Sequence, residues 1–435
     1  MTDPAAEPVL MIAFACEPGC GSEPGIGWAQ VSTSAMRRPT WVITHPDHRA
    51  NLDAGIAEWN ARGDVQPIAA HYIDTGPIAK ALERGGDAGF NLYYARWCRA
   101  AGRLAERLHA QVGFALVQHA SLMRWWQASP AERLARRGVP FIWGPLGAGE
   151  TMPWRYRSGI GSKGHATELA RFAARKMFSI GPGLRRCAQS ATLGLAQPAE
   201  TAARLKHLGC RRVEQAQALP CDVEQMRHVA PMPKPDGTFR VVSGGGLVYW
   251  KRFDLSLRAF ARACSDDPNA QYVHTGGGPE LPKLQRLAER LGVADRVVLC
   301  GAVPHEESLR WVASADAYVL PTLRDTTGHI FEALAAGVPV LTSDHLAPAT
   351  LVNETCGHLI PLGPSLDSLV SSMAETLRRW RGDPALRATL SDGARRRADE
   401  LDVAAFQRRM HNIHDGVLSR SAAEPPAAAS KRAAA

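Results

Sequence analysis

Short apolar runs alternate with helical patterns through both halves of the chain, and this alternation constrains the fold most. The predicted strands are residues 9–15, 40–44, 65–69, 115–118, 140–143, 239–243, 271–275, 297–300, 317–321 and 338–342. Helices are predicted between them at 26–34, 91–111, 253–263, 281–291, 306–313 and 328–336. Strands separated by helices predict a parallel sheet covered on both faces. The sequence therefore predicts an α/β protein built from two doubly wound, Rossmann-like domains.

The length of 435 residues exceeds what one hydrophobic core normally serves, so two domains are expected. Three prolines in residues 230–237 cannot continue a helix or a central strand, so we place the linker there. The predicted domains are then 1–229 on the acceptor side and 238–395 on the nucleotide-sugar side. A helix at 396–418 is expected to pack back on the N-terminal domain. The alanine-rich tail, 419–435, is expected to be disordered.

Composition excludes several classes of protein. No apolar run reaches the roughly eighteen residues that span a bilayer, and the N-terminus lacks the basic region of a secretory signal. The nine cysteines are odd in number and form no CxxC set of zinc-finger spacing. We therefore expect a reduced, cytoplasmic protein. Cys16 and Cys20 are expected to pack in a loop, with metal or redox use as the alternative.

The formal net charge of +9 is concentrated in residues 151–212, which hold 12 basic and 2 acidic residues. Such a field attracts phosphates, and the segment also contains the apolar residues Trp154, Tyr156, Phe172, Met177 and Phe178 among its cations. One interpretation is contact with an anionic membrane on its inner face, or with a phosphate-bearing acceptor. The other is an amphipathic core helix with an exposed arginine face. Nucleic-acid binding is not expected, because no recognised nucleic-acid motif accompanies the charge.

The loops that follow the predicted strands carry the candidate binding residues, because open parallel sheets bind ligands beyond the carboxyl ends of their strands. The first loop, residues 17–28, reads EPGCGSEPGIGW. Its glycines Gly25 and Gly27 would let backbone N–H groups approach a phosphate. The loop matches neither the GxGxxG fingerprint nor a Walker A loop, so a structural turn remains the alternative.

Two later loops carry charged side chains. Residues 243–254 read SGGGLVYWKRFD, in which Lys251 and Arg252 precede a helix. A lysine there can meet a diphosphate as a point charge and an arginine as a fork of donors, although an exposed basic pair is the alternative. In residues 321–340, Glu332 interrupts an apolar run. Its carboxylate can accept hydrogen bonds from vicinal ribose hydroxyls, unless it is a solvent-facing helix residue.

In five motifs, taken in order, the chain resembles the retaining glycosyltransferases of family 4, a glycogen-synthase and mannosyltransferase-like group with the GT-B fold. The motifs are residues 15–28, WGPLGAGE at 143–150, LVYWKRFD at 247–254, GGGPE at 276–280 and the run 332–340. The resemblance covers about residues 9–415. It implies two Rossmann-like domains facing across a cleft, with a nucleotide-diphosphate sugar held between them.

The resemblance also implies individual roles. Lys251 matches the lysine that binds the donor diphosphate, Glu332 the glutamate that holds the ribose, and Asp325 the acid that touches the transferred sugar. His119 resembles the active-site histidine beside the sugar and acceptor, with a satisfied core histidine as the alternative. The catalytic candidates are thus His119, Lys251 and Asp325. The remaining donor-binding candidates are Gly25, Gly27, Gly246, Arg252, Gly277, Thr326, Thr327, Gly328 and Glu332.

Two departures from the family pattern put activity in question. Gly246 stands where the family usually has an arginine, five positions before Lys251, and losing a cation weakens stabilisation of the leaving diphosphate. Arg252 or Arg324 would have to substitute. Asp325 precedes Glu332 by seven positions, whereas the family motif requires eight. Sugar recognition is therefore expected to differ from that of the family.

The resemblance implies transfer of a sugar to an acceptor hydroxyl with retention of anomeric configuration. It requires no cofactor and no metal, and UDP, GDP and ADP donors are not distinguished by the sequence. The acceptor is expected to be a sugar, a lipid-linked molecule or a small molecule, in polysaccharide, glycolipid or natural-product synthesis. The alternatives are a sugar-nucleotide-binding protein that has lost transfer, and an enzyme that joins sugar-like units through a non-glycosidic bond.

Overall fold

The structure of the protein is a computed structural model, which describes residues 7–76, 82, 86–147, 152–179, 181–324 and 328–423. Its residues divide into two compact units. The first unit contains residues up to 147, 173–219 and those from 406 onwards, and the second contains 152–172 and 220–405. Each unit is therefore assembled from separate stretches of chain.

The strands are β1 (Val9–Ala13), β2 (Thr40–Thr44), β3 (Ile68–Tyr72), β4 (Leu116–Ser121), β5 (Phe141–Leu146), β6 (Leu193–Ala196), β7 (Val213–Gln215), β8 (Arg240–Gly244), β9 (Gln271–Thr275), β10 (Val297–Gly301), β11 (Ala317–Leu320), β12 (Val340–Ser343) and β13 (Gly357–Ile360). The helices are α1 (Ser22–Ala35), α2 (Arg49–Asn60), α3 (Gly86–Val112), α4 (Glu132–Ala135), α5 (Gly161–Ser179), α6 (Pro182–Ser190), α7 (Ala199–Leu208), α8 (Val223–Arg227), α9 (Phe253–Ala263), α10 (Leu281–Arg290), α11 (His305–Ala313), α12 (Gly328–Ala335), α13 (Pro348–Leu351), α14 (Leu366–Gly382), α15 (Pro384–Glu400) and α16 (Val403–Ala423). Among these helices, none is both long and apolar enough to cross a membrane.

The first unit is built on a sheet of strand order β3-β2-β1-β4-β5-β6-β7, in which neighbouring strands run parallel. Every residue of β1 is buried, because helices cover both faces of a parallel sheet. One covering helix is α16, whose Phe406, Met410, Ile413 and Val417 pack into the core beside β1. Their spacing places them on one face of the helix.

The second unit is built on a parallel sheet of order β10-β9-β8-β11-β12-β13. The strand order reverses between β8 and β11. In such sheets the crevice for a ligand opens beyond the carboxyl ends of the two strands that flank the reversal. The loops that leave β8 and β11 therefore define where a ligand of this unit binds.

Two doubly wound α/β units confirm the predicted fold class, and the bounds of α9 and β9 match the prediction. The strands β6, β7 and β13 were not predicted, because each is at most four residues long and poor in β-branched side chains. The strand predicted at 65–69 lies at Ile68–Tyr72, where Ile68 pairs with Thr40.

The chain segments also differ from the predicted boundaries. Residues 230–237 pack on the second unit, where the buried Arg240 guanidinium donates to the Pro233 carbonyl at 2.9 Å. Residues 152–172, counted with the N-terminal domain in the sequence analysis, belong to the second unit. The helix expected at 396–418 is divided between α15 and α16. The tail expected to be disordered from 419 continues α16 to Ala423, and its residues 424–435 lie outside the described part.

Candidate functional site

A glycine turn follows β8 at the strand reversal of the second unit. Gly245 has a φ of +107°, and its N–H donates to the Thr275 carbonyl at 2.7 Å. Gly276 has a φ of +139°, and a Cβ atom on it would lie 2.2 Å from the Gly245 carbonyl oxygen. Because L side chains rarely adopt these φ angles and no space exists for one, glycine is required at both positions. The turn at the carboxyl end of β8 therefore carries no side chains and offers only its backbone groups.

Lys251 places its ammonium group on this turn. It ends a short 3-10 turn, Tyr249–Lys251, and a Cβ atom on Gly245 would lie 2.5 Å from Lys251 Nζ. Burial lowers the pKa of Lys251 to about 8, although the negative charge of Glu332 opposes the shift. A half-buried cation next to a glycine turn is an arrangement suited to a phosphate oxygen.

Glu332, on α12, lies near this cation with two histidines bound to its carboxylate. His329 Nδ1 donates to Oε2 at 2.9 Å, and His305 Nε2 donates to Oε1 at 2.9 Å. Burial raises the pKa of the Glu332 carboxyl, but the charges and hydrogen bonds of the two histidines outweigh it and hold the pKa well below its usual range. Each carboxylate oxygen can accept a further hydrogen bond, so the group remains able to bind a diol.

A third histidine supports the glycine turn from below. His274 is fully buried, and its Nε2 donates to the Gly245 carbonyl at 3.0 Å. Burial lowers the pKa of His274 to about 3, and this hydrogen bond opposes the shift only partly. The ring is therefore neutral with its proton on Nε2. Its hydrogen bond fixes the carbonyl of Gly245, the residue beside the Lys251 ammonium group.

The two arginines considered as substitutes for the missing cation at Gly246 are both engaged by protein acceptors. Arg252 Nε and Nη2 donate to the Asp254 carboxylate at 2.8 and 2.9 Å, and Nη1 donates to the Tyr156 carbonyl at 2.6 Å. Arg324 Nη1 donates to Glu168 at 2.7 Å. Gly246 itself is exposed, and the nearest atom to a Cβ built there is the Gly277 carbonyl oxygen at 3.9 Å. The position therefore has room for a side chain.

The remaining donor-binding candidates of the second unit lie around the same turn or outside the described residues. The Gly277 carbonyl accepts the Leu247 N–H at 2.8 Å, which joins the two glycine loops. Gly328 is the first residue of α12. Asp325, Thr326 and Thr327 lie outside the described residues.

In the first unit, Gly25 and Gly27 lie inside α1, which begins at Ser22 rather than at the predicted residue 26. A Cβ atom on Gly25 would lie 2.0 Å from the Cys20 carbonyl oxygen. One on Gly27 would lie 2.0 Å from the Ala15 carbonyl oxygen. Both glycines are buried, so close packing of α1 on the preceding loop already requires them. Their approach to a diphosphate stays a prediction.

His119 lies in β4 of the first unit, buried with 2% of its surface exposed. Its Nε2 shares a hydrogen bond of 3.0 Å with the Tyr94 hydroxyl. Burial lowers the pKa of His119 to about 4, against an opposing hydrogen bond with the Ser121 backbone. The ring is therefore neutral at pH 7, and its role beside a sugar stays a prediction.

The second unit thus brings together Lys251 and Glu332, which were predicted from sequence, at the Gly244–Gly246 turn, of which only Gly246 was predicted. His305, His329 and His274 were not predicted from the sequence. His329 precedes Glu332 by three residues on α12, a helical spacing that signals contact, but nothing in the sequence marks His305. Within the described residues, no group of three His, Cys, Asp or Glu side chains is arranged to hold a metal ion. The cysteines are free thiols.

Comparison with known proteins defines the fold. The chain superposes on sucrose-phosphate synthase from Thermosynechococcus elongatus with a TM-score of 0.64 and 15% identity, covering 95% of this chain and 100% of that one. HepE from Anabaena, solved in complex with UDP, gives a TM-score of 0.59 and 14% identity, covering 94% and 100%. The chain therefore has the GT-B fold.

Residues 225–397 match the family model described as glycosyl transferases group 1. A curated relative is the lipopolysaccharide core biosynthesis glycosyltransferase LpsD of Rhizobium meliloti, 30% identical over 166 residues, 38% of this chain and 45% of that protein. The chain spans less than half the length of the first curated relatives it matches. The matched segment contains Lys251, Arg324 and Glu332.

Proposed function

We propose that the protein is a glycosyltransferase that binds the nucleoside diphosphate of a nucleotide sugar in its second unit. The observation that carries this proposal is the convergence of the Lys251 ammonium, the Gly245 backbone and the Glu332 carboxylate at a strand reversal within residues 225–397, which match the group 1 family model. Lys251 would contact the diphosphate, and the free acceptor positions of Glu332 would bind the ribose hydroxyls. The candidate nucleoside diphosphates are UDP, GDP and ADP.

Ligand binding to the purified protein tests this donor site. Calorimetric titration with UDP, GDP and ADP should give measurable binding of at least one, which Lys251→Met and Glu332→Gln each weaken by at least about tenfold. Lys283→Met is the matched control, because Lys283 is a half-exposed cation of the same unit that pairs with Glu280. The donor would bind elsewhere if Lys283→Met weakened nucleotide binding as much as the two site variants do. Unchanged affinity in both Lys251→Met and Glu332→Gln would mean the same.

We further propose that transfer retains the anomeric configuration and needs no metal, as the family-4 resemblance implies. The bond between the sugar C1 and the diphosphate oxygen breaks, and a bond forms between C1 and the acceptor oxygen. The acceptor proton passes to the leaving phosphate. Lys251 stabilises the charge that develops on that phosphate. NMR of the product formed in the presence of EDTA tests both points, because an inverted anomer or complete inhibition by EDTA would contradict them.

The second candidate function is nucleotide-sugar binding without normal transfer. Gly246 favours it, because the family arginine is absent and the guanidinium groups of Arg252 and Arg324 are already bound to protein acceptors. Release of nucleotide from the sugar conjugate that binds best, measured with and without simple sugar acceptors, separates the two functions. Binding without release or transfer would support the second one.

We also propose that the segment around α5 contacts an anionic membrane surface. In the second unit, Trp154 is 62% exposed, Leu169 56% and Phe172 38%, and the Trp154 and Phe172 rings lie 6.4 Å apart. Lys163 and Arg155 are exposed on the same segment, whereas Arg157 is buried under Trp154 and does not contribute to the surface. Exposed aromatic and cationic side chains suit the lipid interface, and a sugar or lipid-linked acceptor would be reached there.

Co-sedimentation with vesicles tests the membrane contact. Binding should be stronger with anionic than with neutral lipid, should weaken with salt, and should be lost in a Trp154→Ser, Phe172→Ser variant. Val403→Ser, another exposed apolar residue, is the control. Binding that is independent of lipid charge would refute this part of the proposal.

A further inference from the structure

Glu168 is a fully buried carboxylate that no catalytic or donor-binding role explains. It lies on α5, within the stretch 152–172 that belongs to the second unit, and none of its surface is exposed. A buried carboxylate is strongly unfavourable unless hydrogen bonds and opposite charges compensate it. The partners of Glu168 therefore indicate which parts of the structure it stabilises.

The partners come from the two loops that form the donor site. Glu168 Oε1 accepts from the Tyr249 hydroxyl at 2.9 Å and from Arg324 Nη1 at 2.7 Å. Tyr249 is two residues before Lys251, in the loop after β8. Arg324 follows β11, in the loop that leads to α12. One carboxylate oxygen therefore binds both loops at the strand reversal.

The second oxygen attaches Glu168 to its own segment. Oε2 accepts the Met152 N–H at 3.3 Å, and Arg157 Nη2 lies 3.9 Å from it. Arg157 donates through Nε to the Met152 carbonyl at 3.1 Å and lies 3.6 Å from the centre of the Trp154 ring. Both carboxylate oxygens thus accept hydrogen bonds, and these contacts hold residues 152–157 against Glu168.

The same segment contacts the Lys251 loop at a second place. The Tyr156 carbonyl accepts Arg252 Nη1 at 2.6 Å, and the Tyr156 hydroxyl donates to the Gly363 carbonyl. Arg252 holds a left-handed conformation, with a φ of +55°, between the turn that ends at Lys251 and the start of α9. The backbone of this loop is therefore held on both sides of Lys251.

We propose that Glu168 is a positioning residue that sets donor affinity by fixing the Tyr249 and Arg324 loops together. This inference rests on the proposed function, because it assumes that the two loops bind a nucleoside diphosphate. Glu168 touches neither the diphosphate nor the sugar. Its removal leaves Arg324, which is 8% exposed, as a buried cation without its carboxylate. The Tyr249 hydroxyl loses its acceptor at 2.9 Å and keeps the longer hydrogen bond of 3.4 Å from Arg324 Nη1. Both loops then lose the geometry in which Lys251 meets the ligand.

The test compares Glu168→Gln, Tyr249→Phe and a matched control by titration with UDP, GDP and ADP. The control is Asp316→Asn, whose carboxylate accepts Lys234 Nζ and the Arg240 N–H, each at 2.7 Å, at the amino end of β11. Glu168→Gln should raise the Kd of the nucleotide that binds the wild type at least about tenfold, and Tyr249→Phe about threefold. Asp316→Asn should leave the Kd within about twofold while lowering Tm.

With a sugar donor, Glu168→Gln should raise KM and change kcat little, because the loops bind ground state and transition state alike. Unchanged Kd in a folded Glu168→Gln protein overturns the proposal. If that variant does not fold, Tyr249→Phe decides, and wild-type affinity in it overturns the proposal as well. A wild-type protein that binds none of the three nucleotides contradicts the proposed function itself, which is a different outcome.

Discussion

If Lys251 binds the diphosphate as proposed, its lowered pKa should make nucleotide binding depend on pH in a range where an ordinary lysine stays fully charged. Burial brings this pKa to about 8, against an ordinary value of 10.5. If only the charged ammonium binds the diphosphate, affinity falls as pH rises through this value. Between pH 7 and pH 9 the charged fraction drops from about nine tenths to about one tenth, so Kd should rise about tenfold.

The same titration acts on stability with the opposite sign. The pKa of Lys251 is lower in the folded than in the unfolded chain, so between pH 8 and 10.5 the unfolded chain binds more protons. The free energy of unfolding contributed by Lys251 therefore rises with pH through this window. Alkaline loss of affinity through Lys251 is thus not a loss of fold, and urea titrations separate the two effects.

Calorimetric titrations of the nucleotide at pH 7, 8 and 9 measure the effect. Lys251→Arg keeps a charge at all three pH values and should give a nearly constant Kd, while Lys251→Met should bind weakly and without this pH dependence. A wild-type Kd that changes less than twofold over the range, or an equal change in Lys251→Met, would refute the placement of Lys251 on the diphosphate.

Residues around the proposed donor site give three further predictions. Gly246→Arg should fit, since among the described residues only the Gly277 carbonyl lies within 4 Å of a Cβ there. It should lower the nucleotide Kd about tenfold in titrations, and no gain in affinity would mean that the position does not face the diphosphate. Gly276→Ala places a methyl group 2.2 Å from the Gly245 carbonyl and should lower the free energy of unfolding by about 2 kcal/mol or more in urea, whereas Gly382→Ala, with open space, should not. His305 has a pKa raised above 6.5 by its hydrogen bond to Glu332, with burial opposing. The free energy of unfolding of the wild type should therefore exceed that of His305→Gln below pH 6.5, and this difference should disappear as pH rises through the folded pKa of His305. A difference that persists at pH 9 would contradict the prediction.

The order of strands and helices was predictable because local periodicity determines it. The apolar run of β1 and the amphipathic pattern of α9 each contain their own signal, and both elements lie where predicted or within two residues of it. Short strands such as Val213–Gln215 carry no such signal, since a three-residue run has no period. Their place is set by pairing with β6 in the folded sheet.

The candidate site was predictable only in part. Lys251 and Glu332 could be identified because each is a charged residue in an unusual local setting, beside glycines or within an apolar run. Glu168 gave no such signal, because its partner Arg324 is 156 residues away and only tertiary structure brings them together. Arg252 was expected to offer its donors to a ligand, but sequence does not show that Asp254 and Tyr156 already accept them.

The late position of α16 in the chain has a consequence for how the protein is made. Phe406, Met410, Ile413 and Val417 complete one face of the core around β1, whose residues are synthesised about 400 residues earlier. The apolar face of the nascent first unit therefore stays uncovered until residues 406–417 have left the ribosome. During that interval it presents a surface that chaperones recognise, and variants truncated before Phe406 should depend on them for solubility.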